Sequence, residues 1–269
     1  MFGLSLSVKY VCGYLPNLIK CFIIITMKRN IVKLQGLPVD TFAFDDALDF
    51  ALKSSGQIIT INPEMIMYAQ KHTDFAKIIE DADLIIPDSI GIEIGLKILR
   101  CKVHRIAGIE FAKELVRNFT KKNKTIALLG AKPEVIQKTV ENLRIEFPDI
   151  KIVFIKDGYF EDEQKVLNEI TALKPDLLLT ALGSPKQEIF NKQIKTVLPQ
   201  TLSIGVGGSF DVWSGIVKRA PFIWQKLGLE WLYRTIKEPE RCKRIFPALP
   251  LFIMSVISER LLSRKVCHA

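Results

Sequence analysis

The sequence predicts an α/β protein with a parallel sheet covered by helices on both faces and a basic helical appendage at its C-terminus. Two observations carry this expectation. Short continuous apolar runs alternate with longer stretches of helical periodicity, and strands that are apolar throughout are those buried between two layers of helices. The charge is also unevenly placed: residues 218–269 hold eleven Lys and Arg against four Glu, a net of +7 out of the chain's formal +9.

In chain order, residues 30–34 read as a first strand, and 42–53 as a helix with Asp40 or Thr41 as its cap. The β-branched run 57–61 is a strand ending at Asn62-Pro63, where an Asn cap and a Pro in the first turn start a helix. Residues 84–87 form a buried strand that ends at Asp88-Ser89-Ile90-Gly91. Helical patterns at 92–99 and 110–119 follow, split by Arg105-Ile106-Ala107-Gly108. The alternation then becomes regular: strand 125–129, helix 133–147, strand 150–155, helix 162–173, strand 176–181, helix 186–195 and strand 201–206. This order is Rossmann-like, with no internal repeat or long linker.

Three regions are expected. Residues 1–26 are an extension, apolar but interrupted by Lys9, Pro16, Asn17 and Lys20; it lacks a signal-peptide cleavage pattern and reads as a mis-assigned start or a membrane-contacting arm. Residues 27–215 are the α/β core. Residues 216–269 are the appendage, where an apolar stretch at 245–257 lies between basic clusters. That arrangement suits a segment lying in a membrane interface, or else a helix packed on the core.

At 48% apolar and 25% charged residues the chain is an ordered globular protein rather than a disordered one. The basic C-terminus suits a nucleic acid, an anionic membrane or a diphosphate ligand. Five scattered cysteines (Cys12, Cys21, Cys101, Cys242 and Cys267) with no C-x-x-C pair predict reduced thiols in a cytosolic protein. The dispersed His72, His104 and His268 give no zinc spacing.

Ligands of open parallel sheets bind beyond the carboxyl ends of the strands. Four loops there carry suitable groups: Thr60-Ile61-Asn62, Asp88-Ser89, Gly183 to Glu188, and Gly205 to Asp211. Asp88 follows directly on an apolar strand, so it faces either the crevice, where it can act as a general base, or the next helix, which it would cap. Gln187 and Glu188 could equally be ordinary first-turn helix residues. Asp81-Ala82-Asp83 has the spacing of a cation-binding carboxylate pair but precedes its strand, which puts it at the opposite edge of the sheet. Gly205-Val206-Gly207-Gly208 lacks the third glycine of a dinucleotide fingerprint, and there is no phosphate-binding P-loop.

The stretch 203–244, SIGVGGSFDVWSGIVKRAPFIWQKLGLEWLYRTIKEPERCKR, holds all three Trp residues and a series of arginines. Its order of Gly205, Gly207, Phe210, Asp211, Arg219-Ala220-Pro221, Glu230-Trp231, Arg234, Glu238-Pro239, Arg241 and Arg244 resembles the C-terminal signature of the WecB/TagA/CpsF (TagA/WecG-type) bacterial glycosyltransferases. Thr60 and Asn62 match the family's T-x-N-P-E motif. Arg105 and Gly108 match R-x-x-G, and Gln187 and Glu188 match G-x-P-x-Q-E. Asp88 stands where the family pattern P-D-G-x-G has its proposed base, although Ser89 replaces the usual Gly, a change expected to strain a loop that needs positive φ. The resemblance spans roughly residues 31–244.

It implies an inverting glycosyltransferase that needs no metal or other cofactor. The donor would be a UDP-activated N-acetylmannosamine-type sugar, and the acceptor N-acetylglucosamine on a polyprenyl diphosphate. Asp88 would be the base, with Thr60, Asn62, Arg105, Gln187, Glu188, Gly207 and Asp211 lining the substrate site. Arg234, Arg241 and Arg244 would reach the diphosphate. The enzyme would sit peripherally on the inner face of the plasma membrane, making a teichoic acid or other surface polysaccharide, with no nucleic-acid partner; homo-oligomerisation stays open. The alternatives are a UDP-N-acetylmannosaminuronic acid or UDP-hexose donor, a non-enzymatic basic membrane-binding module, and a nucleotide-dependent oxidoreductase.

Overall fold

The computed structural model of the chain describes residues 6–15, 18–27, 29–226, 228–237 and 242–262, with the backbone alone for 6–27, 226, 234 and 242–246. Two hairpins open it. β1 (Leu6–Leu15) pairs antiparallel with β2 (Leu18–Met27). β3 (Ile31–Leu34) pairs antiparallel with β4 (Leu37–Asp40) across Gln35 and Gly36, both at positive φ. The run at 30–34, expected as a first strand of the parallel sheet, is therefore one arm of a hairpin beside that sheet. Its alternating pattern and tight polar turn favour local antiparallel pairing, whereas a parallel neighbour needs a long crossover.

The main sheet follows. The chain runs α1 (Phe44–Ala51), β5 (Gly56–Ile61), α2 (Pro63–Ala69), α3 (Thr73–Glu80), β6 (Leu84–Pro87), α4 (Ile90–Ile98) and α5 (Gly108–Lys121). It continues with β7 (Thr125–Gly130), α6 (Pro133–Glu146), β8 (Lys151–Lys156), α7 (Glu163–Leu173), β9 (Leu177–Ala181), α8 (Lys186–Val197) and β10 (Leu202–Gly205). The last elements are α9 (Ser209–Trp213), α10 (Phe222–Lys226), α11 (Glu230–Lys237) and α12 (Cys242–Leu262). Strands β5 to β10 form one six-stranded sheet in the order β6-β5-β10-β9-β7-β8, with every pairing parallel.

Period-2 alternation divides the strand side chains between two layers. Ile58, Leu84, Ile86, Ile126, Leu128, Leu177, Leu179 and Ile204 point to the face covered by α1, α5, α6 and α9. On the other face, Ile59, Ile61 and Ile85 pack under α2, α3, α4 and the β3–β4 hairpin, while Ala127, Leu129 and Leu178 pack under α7 and α8. Each such large side chain contributes about 1.5–3 kcal/mol on burial. The neighbours β5 and β10 send the chain to opposite faces, to α2 and α9 respectively, and in open α/β sheets such a switch is where a ligand crevice forms, above the carboxyl ends of the strands.

The C-terminal helix belongs partly to this core. Phe252 and Val256, one turn apart on α12, are fully buried against α2 and α4. Glu259 Oε2 accepts from the Gln35 backbone N–H (3.2 Å) and from Gln35 Nε2 (2.7 Å). The stretch read as either interfacial or core-packed thus has one face in the core, while Leu251, Met254, Ile257 and Leu261 on the same helix are exposed. No helix among the described residues is long and apolar enough to cross a membrane.

One cysteine departs from expectation. Cys101, just beyond α4, is disulfide-bonded rather than a reduced thiol, and its pairing sulfur falls outside the described side chains. Cysteine spacing reports sequence separation, whereas disulfide formation depends on distance in the fold.

Candidate active site

All six parallel strands end at the same edge, and the predicted loops meet there. Asp88 follows the last residue of β6, and its backbone N–H donates to Ile61 O (3.2 Å) at the end of β5. Its Oδ1 accepts the backbone N–H of Gly108, the first residue of α5, at 2.6 Å. Asp88 does not cap α4. Ser89 does, its Oγ accepting the Ile92 N–H at 3.2 Å, with φ of −116°. The Ser in place of the family's Gly therefore stands in ordinary extended backbone, and the expected strain is absent because the cap needs a side-chain oxygen rather than positive φ.

Gly108 is where α5 meets this carboxylate. A Cβ there would lie 3.0 Å from Thr60 Cγ2 and 3.1 Å from Asp88 Oδ2, so a side chain would crowd both. Thr60 thus adjoins Gly108, and its Oγ1 donates to Gly205 O (3.3 Å) at the end of β10. Asn62 caps α2 by accepting the Met65 N–H (3.0 Å), with Pro63 in the first turn as the sequence predicts. Thr60, Asn62, Asp88 and Gly108 thus occupy adjoining strand ends and helix starts.

The remaining residues are placed around this centre. Gly207 lies in the turn after β10 at φ +47°, and Asp211 lies on α9, where its carbonyl accepts the Val217 N–H (3.0 Å). Arg105 Nη2 donates to Gln225 O (3.4 Å), tying the loop before α5 to α10. Arg219 Nη2 donates to Glu110 Oε1 (2.8 Å) on the first turn of α5, and its Nε approaches Glu230 Oε2 on α11 (3.8 Å). Both contacts bring α10 and α11 to the same rim. Arg241 and the side chains of Arg234 and Arg244 lie outside the described residues.

Gln187 and Glu188 open α8 after the cis Ser184–Pro185 bond, and both are buried. Gln187 Nε2 donates to Glu188 Oε1 at 2.8 Å, and Gln57 Nε2 donates to Glu188 O at 2.9 Å. Burial pushes the Glu188 carboxyl above the usual carboxylate range, against the opposing hydrogen bonds from Gln187 and Ser184. The Glu188 carboxyl is thus turned to Gln187 and away from solvent. The sequence expectation gives Gln57 no site role, although a Gln within the mostly apolar run Gly56–Ile61 is a signal for one.

The carboxylate pair Asp81/Asp83 lies at the amino edge, before β6. Asp81 pairs with Lys192 and Lys195, and Lys192 is the main cause of its lowered pKa. Asp83 Oδ2 accepts the Gln57 N–H (2.7 Å) and approaches Lys195 Nζ (3.0 Å). Both carboxylates thus hold sheet and helix ends together, across the sheet from Asp88. Among the described residues no group of three His, Cys, Asp or Glu side chains is placed to hold a metal ion.

A parallel α/β sheet with a carboxylate at a strand end, held by a helix N-terminus next to the switch between β5 and β10, is the arrangement in which open α/β proteins bind their ligands. Sequence comparison makes the class specific. Residues 32–266 match the profile of the Glycosyl transferase WecG/TagA/CpsF family, and the chain belongs to that family. It is similar to the N-acetylglucosaminyldiphosphoundecaprenol N-acetyl-beta-D-mannosaminyltransferase of Bacillus subtilis (strain 168), at 40% identity over 77% of this chain and 81% of that protein. It is also similar, at 36% identity over the same shares, to the protein so named in Bacillus spizizenii (strain ATCC 23059 / NRRL B-14472 / W23).

Proposed function

We propose that this glycosyltransferase moves an N-acetylmannosamine-type sugar from a UDP-sugar to N-acetylglucosamine carried on a polyprenyl diphosphate. The observation that carries this reading is Asp88 at the crevice, its Oδ1 fixed by the Gly108 N–H beside Thr60, in a chain of this family. The names of the relatives supply the sugar and the lipid-linked acceptor.

In the proposed reaction, a hydroxyl of the acceptor N-acetylglucosamine, taken as the 4-hydroxyl, attacks the anomeric carbon of the donor from the face opposite UDP. The new C–O bond forms as the bond to the diphosphate breaks. Asp88 takes the hydroxyl proton, and UDP leaves with the bonding electrons. Thr60, Asn62, Arg105, Gly207 and Asp211 line the substrates. Arg234, Arg241 and Arg244 offset charge on the diphosphates, since guanidinium groups fit phosphate oxygens in pairs.

The lipid-linked acceptor requires the crevice to work at a membrane surface, on the inner face in this reading. Support comes from apolar side chains in solvent on three consecutive helices. Phe222 and Ile223 on α10 are 73% and 70% exposed, and Ile236, Met254 and Leu261 on α11 and α12 are also exposed. Such side chains next to basic residues suit insertion among anionic headgroups.

The test is a product assay with a panel of UDP-sugars and a synthetic lipid-diphosphate N-acetylglucosamine. Transfer from UDP-N-acetylmannosamine well above the uronic acid and hexose donors is expected. A preference for either of the others would reassign the donor, and no transfer from any would overturn the reading.

A further inference from the structure

Behind the crevice, where α8 packs on β5 and β10, four polar side chains are shut away from solvent: Gln57, Gln187, Glu188 and Asn191, each 5% exposed or less. Gln187, Glu188 and Asn191 share one face of α8, since residues three and four apart are neighbours on a helix. Gln57 reaches them from β5 through its bond to the Glu188 carbonyl. Among the described residues, four of their polar atoms have no hydrogen-bond partner: Gln57 Oε1, Gln187 Oε1 and both side-chain atoms of Asn191.

Apolar residues of similar size would be more stable in such a place, because buried polar atoms without partners are costly. A polar cluster in such a place calls for a reason other than packing. The raised pKa of Glu188 favours its neutral form. A neutral carboxyl carries an O–H donor, and the same enclosure holds amide oxygens lacking one.

The cluster bears on the site through one contact. Gln187 lies so close over Gly205 that a Cβ there would come within 2.4 Å of Gln187 Nε2. Gly205 O is the acceptor of Thr60 Oγ1, and Thr60 adjoins Gly108 beside Asp88. The orientation of the Gln187 carboxamide therefore sets the position of the strand end that carries the glycine turn.

We propose that Gln57, Glu188 and Asn191 are positioning residues, a closed polar cluster that holds Gln187 against Gly205 and so fixes one wall of the donor pocket. The inference rests on the reading that the Gln187–Gly205 wall borders the UDP-sugar. None of the three touches substrate; each acts through Gln187.

The experiment uses the full chain, measuring kcat and both KM values with UDP-N-acetylmannosamine and a soluble acceptor. Gln187→Ala should raise the donor KM roughly tenfold, the effect of losing about one well-oriented hydrogen bond. Glu188→Ala and Asn191→Ala should do the same while leaving the acceptor KM within about twofold of wild type. The Gln187→Ala/Glu188→Ala double variant should be no worse than either single one, because coupled residues are not additive. Glu188→Gln, which restores a donor and an acceptor in the same volume, should recover most of the loss. If Gln187→Ala raises the donor KM but Glu188→Ala and Asn191→Ala do not, or if the losses multiply, the inference is overturned. An unchanged donor KM in Gln187→Ala would sink the donor-wall reading itself, and the inference with it. Should Glu188→Ala fail to fold by circular dichroism, Asn191→Ala alone and combined with Gln187→Ala decides by the same criteria.

Discussion

The backbone N–H of Gly108 donates to Oδ1 of Asp88 across 2.6 Å, joining the first residue of α5 to the residue that ends β6. A carboxylate tethered in this way keeps a fixed rotamer. A base that takes a proton during attack gains from that fixity, because orientation is then settled before the substrate arrives.

The tether is sensitive to added bulk. In Gly108→Ala the new methyl would sit 3.0 Å from Thr60 Cγ2 and 3.1 Å from Asp88 Oδ2, tight enough to displace one of them. A folded variant with kcat reduced about 10- to 100-fold is expected, the scale of a small misplacement in an active site. Steady-state kinetics with a circular dichroism control would read this, and wild-type kcat would mean that the contact does not position the base.

Chelation should not matter. The D-x-D pair Asp81 and Asp83 is committed to Lys192 and Lys195 at the edge of the sheet away from Asp88. Activity should survive EDTA undiminished. Loss that Mn²⁺ or Mg²⁺ restores would show that a cation takes part after all.

The core-packed and the solvent-facing residues of the appendage can be tested separately. Phe252 is buried in the core, so Phe252→Ala should cost about 3–5 kcal/mol of stability and lower Tm. Phe222→Glu with Ile223→Glu, both in solvent, should leave Tm nearly unchanged but weaken sedimentation with anionic vesicles. Wild-type vesicle binding in that double variant would remove α10 from the membrane contact. Deleting the whole segment could not make this distinction, since it would strip the core of Phe252 and Val256.

Glu188 gives a pH signature. Its pKa is raised in the folded state by burial, so the native protein holds a proton that the unfolded chain releases at the ordinary glutamate value. Between those two pKa values the native state binds more protons, and stability falls as pH rises. Urea denaturation should show wild type losing stability relative to Glu188→Gln as pH climbs above the ordinary glutamate range. Parallel pH curves for the two proteins would contradict a neutral Glu188.

The parallel sheet was legible because continuous apolar runs leave few other solutions, and the strand-end loops then follow from topology alone. Asn62 and Pro63 marked the start of α2 by their chemistry. The hairpin at Ile31–Asp40 was harder to read, since its turn pair Gln35-Gly36 is a weaker hairpin signal than Asn-Gly or Asp-Gly. The partner of Asp88 was equally hidden: Gly108 is twenty residues away, and only the fold makes it a neighbour. Ser89 departs from the expectation of strain because the position calls for a helix-capping oxygen, not for backbone freedom. Asn191 gave a faint signal, a polar residue four places after Gln187 and three after Glu188, whose meaning depends on which face α8 buries.

The most direct test of the account is the reaction of UDP-N-acetylmannosamine with lipid-diphosphate N-acetylglucosamine, compared between wild type and Asp88→Asn, with the product's anomeric configuration read by NMR. The wild type should form a disaccharide inverted relative to the donor. Asp88→Asn keeps the size of the side chain but removes the proton acceptor, and it should lose about 10²–10⁴-fold in kcat with donor binding little changed. Near-normal turnover in that variant, or retention of configuration in the wild type, would contradict Asp88 as the base of a single displacement.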